Sequence, residues 1–173
     1  MSLTLNYNAS LAALNTFGVD CKAQVLARVS SEDDLALLGQ DDALGTLPRL
    51  ILGGGSNVLL TKDFPGLVLR MDIGGMRDVG ETDDAWLVYV GAGENWHEVV
   101  RALTFNGRPG LENLALIPGL VGAAPIQNIG AYGLELVERL HELRVWDWAS
   151  ARVLTMSPQD CELGYRDSVF KRD

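Results

Sequence analysis

Short apolar runs separated by polar, glycine-rich stretches set the pattern of this chain. Ala23–Val29 (AQVLARV) has strand composition, and Ser30, Ser31, Glu32, Asp33 and Asp34 follow it with the hydroxyls and early acids of a helix start, predicting a helix through about Gln40. Arg49–Leu52 reads as a buried strand. A turn over 53–57 follows, then the apolar NVLL and a further strand over Leu67–Met71. This strand, helix and strand order predicts a small α/β lobe closing near Asp72.

A third strand is predicted over Ala85–Val90, after which Glu94, Asn95 and Trp96 open an amphipathic helix that Gly107 and Pro109 stop. Its apolar positions Trp96, Val99, Val100 and Leu103 follow helical spacing. The run from 111 to 133 is the least periodic part. It is rich in Gly, Ala, Pro and Asn, and a run of that length without periodicity points to function or disorder; its apolar content argues against disorder. Leu143–Trp148 and Arg152–Met156 predict a hairpin around Ala149, Ser150 and Ala151, and Ser157 to Asp160 a short helical turn with Pro158 at its first position. The expected division is two lobes, 1–72 and 73–173, with a break near 72–83, and the expected class is α+β with an α/β first lobe.

Composition narrows the partners. Fourteen basic against 23 acidic residues give a net charge of −9, the wrong sign for holding nucleic acid by bulk electrostatics. A local nest of backbone N–H groups can still hold a phosphate in an acidic protein. The N-terminus has no basic segment followed by an apolar run, and no stretch approaches the roughly 20 apolar residues of a spanning helix. Neither export nor membrane insertion is expected. Cys21 and Cys161 are lone cysteines, so free thiols in a reducing, cytoplasmic compartment are the expectation.

Several known motifs fail. Gly53, Gly55 and Val58, like Gly91, Gly93 and Trp96, lack the third glycine of a dinucleotide fingerprint, and no glycine-rich loop ends in Gly-Lys-Ser/Thr. His97 and His141 each precede a glutamate, but Arg101 and Val145 stand where a zinc helix needs its second histidine. No metal is expected, and these histidines and both cysteines are assigned no chemistry.

Three segments remain. The nineteen glycines exceed the usual share of about 7% and cluster. Gly53, Gly54, Gly55, Ser56, Asn57 and Val58 follow a strand in a geometry that turns several amides toward one point, as a diphosphate requires; an ordinary glycine-rich hairpin is the plain alternative. Along Leu116–Gly133, small residues let backbone lie flat on a planar ring, with Gln127 and Asn128 offering amides to ring edges. In Gly164–Lys171, Arg166 sits between Tyr165 and Asp167, where a structural Arg–Asp pair is the plain alternative.

Together with NTFG at Asn15–Gly18, ILGGGSN at Ile51–Asn57, VGAGENW at Val90–Trp96, GLENLALIPG at Gly110–Gly119, PIQNIGAYG at Pro125–Gly133 and GYRDS at Gly164–Ser168, the chain closely resembles the UDP-N-acetylenolpyruvoylglucosamine reductases of bacterial peptidoglycan synthesis. The resemblance implies a two-lobed FAD-binding unit of the vanillyl-alcohol-oxidase (PCMH) type followed by a separate substrate-binding domain. It implies NADPH as hydride donor, FAD as carrier, and a UDP-sugar enolpyruvyl ether as substrate, reduced to UDP-N-acetylmuramate in a protein that is monomeric at full length. By motif, Gly53–Val58 would hold the FAD diphosphate. Pro118, Gly119, Val121, Gly122, Ala123, Ala124, Gln127, Asn128, Ile129, Gly130 and Tyr132 would line the flavin. Arg166 would meet the substrate carboxylate, with Tyr165 orienting it.

Two departures qualify these implications. Ala123 and Ala124 stand where many relatives have serines, leaving backbone N–H donors as the expected contact. The chain also ends at Asp173, whereas the family continues to a proton-donating serine and a supporting glutamate. The expectation is therefore a chain carrying the FAD-binding part; the alternatives are a flavin- or nucleotide-binding module without turnover, and a fragment that self-associates through exposed apolar surface.

Overall fold

A computed structural model describes residues 3–172 and divides the chain into two compact units. The first holds the residues up to Ile73 together with Trp146–Arg152, and the second holds Gly74–Val145 and the residues from Val153 onward. The hairpin tip around Trp146 thus groups with the first unit, which a linear division at 72/73 does not capture. Its cause is packing, since Trp146 and Trp148 lie against the first unit's core and Arg49 stacks over the Trp148 ring 4.5 Å from its centroid.

In the first unit, β1 (Thr4–Ser10), β2 (Lys22–Val29), α1 (Glu32–Gln40), α2 (Asp42–Gly45), β3 (Arg49–Leu52) and β4 (Phe64–Met71) follow in sequence. They build a four-stranded sheet in the order β1-β2-β4-β3. β1 runs antiparallel to β2, while β2, β4 and β3 are mutually parallel; the helices carry the chain from β2 across to β3, and β4 then inserts between those two strands. The pleat sends Val25, Ala27, Val29, Leu67 and Leu69 to one core with Leu35, Leu38 and Leu44 of the helices. Leu26 and Val68 face a second core with Leu11, Cys21, Leu52 and Leu60. Ser31 caps α1 by accepting from the Asp34 amide, and the Asp34 carboxylate reaches back, closing a capping box where the sequence placed the helix start.

The second unit opens with β5 (Met76–Glu81) paired antiparallel to β6 (Trp86–Val90), then α3 (Trp96–Phe105). The stretch expected as an interlobe break therefore contains a strand. All six β5 residues are exposed, so no apolar alternation marks it. Trp96, Val99, Val100 and Leu103 are buried, as their spacing suggested, and the Asn95 side chain accepts from the Glu98 amide as N-cap. From 112 to 138 the chain is a succession of single 3-10 turns broken by the two-residue pair β7 (Gly130–Ala131) and β8 (Leu134–Glu135). These turns enclose a core of Trp96, Val100, Leu114, Ala124, Ile129, Leu134 and Leu136. The hairpin strands β9 (Leu143–Asp147) and β10 (Arg152–Met156) and the short α4 (Val169–Arg172) complete the chain. No helix is long and apolar enough to cross a membrane among the described residues.

Candidate functional site

In the first unit the glycine-rich loop between β3 and β4 is held from below by the loop that carries Asn15–Gly18. Asn15 is buried; its Nδ2 donates to the carbonyls of Leu11 (2.8 Å) and Val19 (3.1 Å), and its Oδ1 accepts from the Val19 amide at 3.0 Å. The Thr16 amide donates to the Gly55 carbonyl at 3.2 Å. Gly55 has φ +64°, and a Cβ there would stand 2.0 Å from the Leu14 carbonyl oxygen, so only glycine fits. Among the described residues, the amides of Gly54, Gly55, Ser56 and Asn57 donate to no protein acceptor. Consecutive orphan amides on a fixed turn suit an anion. Gly54 and Asn57 are exposed, Gly53 and Ser56 half-buried, and Val58 packs on the sheet's second core. Asn15 and Thr16 were not among the predicted site residues, although the NTFG motif that contains them was visible.

In the second unit, Gly119–Gly122 lies alongside the turn that leads into α3. The Trp96 amide donates to Gly119 O (3.1 Å), the Val121 amide to Glu94 O (2.9 Å) and the Gly122 amide to Ala92 O (2.9 Å). A Cβ on Gly122 would meet the Ala92 Cβ at 2.7 Å, so glycine is required by this close approach. Pro118 and Ala123 are exposed, and Gly119 and Val121 half-buried.

Three expectations for this segment change. The Ala123 and Ala124 amides are not free donors, because each closes a 3-10 turn, to Leu120 O at 3.0 Å and Val121 O at 3.1 Å. Ala124 and Ile129 put their side chains into the core, and the Ile129 amide donates to Ala124 O. Asn128 offers no amide to a ring edge. It is 1% exposed in left-handed conformation, φ +43°, and its side chain is fully engaged. Nδ2 donates to Glu135 Oε2 at 2.8 Å and to the Gly164 carbonyl at 3.0 Å, while Oδ1 accepts from the Val137 amide at 3.0 Å. Gln127 is half-buried, its side chain without a hydrogen-bond partner among the described residues, and Tyr132 is exposed, its carbonyl accepting from Asn113 Nδ2 at 3.2 Å.

Tyr165 and Arg166 form the tip of a tight turn closed by reciprocal bonds between Gly164 and Asp167. Arg166 adopts φ +54°, and its Nη2 donates to the Gly130 carbonyl at 2.8 Å. Asp167 does not pair with it; its carboxylate lies 3.3 Å from Arg172 Nε. Among the described residues Arg166 has no carboxylate partner. Tyr165 is 83% exposed and makes no hydrogen bond to Arg166, so the Gly130 carbonyl, not the phenol, orients the guanidinium. Arg166, Tyr165, Gly130, Glu135 and Glu138 border a concavity of about 450 Å³. Ser168, fully buried, donates to the Ile126 carbonyl at 2.6 Å.

Both cysteines are buried and free, and burial pushes their thiols above the ordinary value. His97 accepts the Leu116 amide on Nδ1 at 3.2 Å, a structural role. Among the described residues no cluster of three His, Cys, Asp or Glu is placed to hold a metal.

An α+β chain with orphan amides after a parallel strand has the makings of a cofactor-binding unit, and it belongs to the FAD binding domain family, whose profile matches residues 23–157. Within that class its curated relatives are UDP-N-acetylenolpyruvoylglucosamine reductases. That of Burkholderia mallei is 55% identical over 164 residues, covering 95% of this chain and 47% of the relative. That of Paraburkholderia phytofirmans is 55% identical over 163 residues, covering 94% and 47%. A crystal structure of UDP-N-acetylenolpyruvylglucosamine reductase from Thermus caldophilus superposes with a TM-score of 0.73 at 26% identity, covering 97% of this chain and 57% of that one. The chain spans about half the length of the curated relatives it matches.

Proposed function

We propose that this chain is the FAD-binding part of a reductase that converts UDP-N-acetylenolpyruvoylglucosamine to UDP-N-acetylmuramate with NADPH, in cell-wall precursor synthesis. The observation that carries the reading is the set of orphan amides at Gly54–Asn57, fixed by the contact of Gly55 with Leu14. A diphosphate supplies the acceptors these amides lack. Gly53–Val58 would hold it, and Pro118–Gly122 with Ala123, Gln127, Gly130 and Tyr132 would border the flavin. For Ala124, Asn128 and Ile129 the role is to shape that border from the core side.

FAD, when bound, would supply hydride transfer from NADPH to the enolpyruvyl ether. Arg166 would bind the substrate carboxylate. Hydride addition moves charge onto the carboxylate-bearing enolate, so a positioned cation stabilises the transition state more than the ground state. Having no carboxylate partner among the described residues, Arg166 is available for that task, and a guanidinium engages a carboxylate with two donors where lysine presents a point charge.

The test is a visible spectrum. The purified chain should carry, or take up on addition of FAD, a flavin absorbance that survives gel filtration; a colourless chain that also fails to bind added FAD overturns the reading. A second reading, a flavin-binding module without turnover, is favoured by the bond from Arg166 Nη2 to the Gly130 carbonyl, which gives the guanidinium a structural partner. NADPH oxidation that depends on UDP-N-acetylenolpyruvoylglucosamine would exclude it.

A further inference from the structure

The turn that carries Arg166 is pinned at three points to one short stretch of chain about 36–42 residues earlier. Its leading flank is held through the Gly164 carbonyl by Asn128 Nδ2, its tip through Arg166 Nη2 by the Gly130 carbonyl, and its trailing flank through Ser168 Oγ by the Ile126 carbonyl. Two of these pins are among the most buried polar side chains of the protein, Asn128 at 1% and Ser168 at 0% exposure. Buried hydrogen bonds of this kind act over short range in low dielectric; breaking the Ser168 bond takes that donor from the Ile126 carbonyl, and breaking the Asn128 bond leaves a buried Nδ2 donor short of a partner while the Gly164 carbonyl keeps the Asp167 amide. The stretch 126–130 therefore cannot shift without moving the arginine turn.

We propose that Asn128 and Ser168 are positioning residues that transmit cofactor binding at residues 126–130 to the Arg166 turn, so that filling the flavin site orders the substrate-binding arginine in advance. The inference rests on the reading of 126–130 as part of the flavin border. Neither side chain touches cofactor or substrate; both act through the backbone they hold. Arg166 is the member that gains from this. Its tip is exposed, its conformation is left-handed, and although its carbonyl accepts from Lys171 Nζ, the one described bond of its side chain, to Gly130, would leave the guanidinium loosely placed. Ordering it before substrate arrives removes part of the entropic cost of recognition.

The experiment is amide hydrogen exchange of the chain with and without saturating FAD, read on peptides covering 53–58 and 164–168, for the original sequence, Asn128→Asp and Ser168→Ala. Asn128→Asp keeps the Oδ1 acceptor and the tolerance of left-handed φ but removes both donors. Ser168→Ala removes one hydroxyl. In the original chain FAD should slow exchange of 164–168 by about tenfold or more, a local-opening effect. In each variant the FAD-dependent slowing at 164–168 should fall to about twofold or less while that at 53–58 persists. A merely structural role would raise exchange equally with and without FAD and leave the FAD-dependent ratio intact. An intact ratio in the variants, or no FAD effect on 164–168 in the original chain, overturns the inference with the flavin reading untouched. Failure of the chain to bind FAD at all, seen in the flavin absorbance, overturns the reading itself and the inference with it. Should one variant fail to fold, the other decides.

Discussion

Gly55 and Leu14 meet backbone to backbone: a Cβ on Gly55 would lie 2.0 Å from the Leu14 carbonyl oxygen and 2.8 Å from the Asn15 Cα. This contact joins two loops of the first unit, and it sets the height of the orphan amides above the sheet. Gly18, at φ +62° with nothing within 4 Å, is the natural control, since Gly18→Ala meets only the conformational cost of about 1–2 kcal/mol. Gly55→Ala bears that cost and a backbone collision. Denaturant unfolding should place it well below Gly18→Ala in stability, and FAD titration should show cofactor affinity lost in Gly55→Ala alone.

Gly122 meets the Ala92 Cβ in the second unit, at 2.7 Å from a hypothetical Cβ. Its φ is not in the left-handed region, so the cost of Gly122→Ala is overpacking alone, about 1–3 kcal/mol. Ala92→Gly should recover much of that loss in the double variant. Additive destabilisation in a double-mutant cycle would show that the two positions do not share the strain.

Arg166→Ala should leave FAD bound, because the side chain is exposed and its one described bond is to the Gly130 carbonyl. In a full-length homologue the same change should lower flavin reoxidation by substrate by at least about 100-fold, with Arg166→Lys in between. Stopped-flow absorbance measures both. Loss of FAD in Arg166→Ala would assign the arginine to the cofactor instead.

The elements that could be read from the sequence are those with a buried face. β2, β3, β4, β6, α1 and α3 lie where the apolar pattern put them, because each carries residues such as Val25, Leu67 or Val100 that the core demands. β1 and β5 were not foreseen. β5 exposes all six residues, and β1 buries none fully, with Asn8 at φ +51° inside it. Such strands owe their existence to partners, and partner strands leave no period in the sequence. The site divides in the same way. Gly53–Asn57 is legible because glycine and small polar residues signal a turn, whereas the use of Asn128 is not, since its amide reaches residues 7 to 36 positions away.

Cys21 and Cys161 should be unreactive in the native chain. Burial raises both thiols above their ordinary value, with nearby Asp63 acting in the same direction on Cys21 and Asp160 on Cys161. A chromogenic disulfide at pH 8 should therefore find no thiol in the native chain and two after denaturation. Rapid native labelling would mean that one of these sites opens.

Asp34 offers a test in pH. Burial alone would raise its carboxyl, but hydrogen bonds from the amides and hydroxyls of Ser30 and Ser31 outweigh burial and hold it below the ordinary carboxylate value. A carboxyl with a lower value in the folded than in the unfolded chain leaves the unfolded chain binding more protons across that window, so stability rises with pH there. Its stabilisation is complete above the unfolded value, about 3.9, and is lost as pH falls through the depressed folded value. Asp34→Asn keeps the size of the side chain and removes the titration. Unfolding midpoints should fall more steeply with acid in the original chain than in Asp34→Asn, and the gap between the two should be greatest near neutral pH. Parallel acid profiles would mean that the capping box is formed by the neutral acid as well as by its anion.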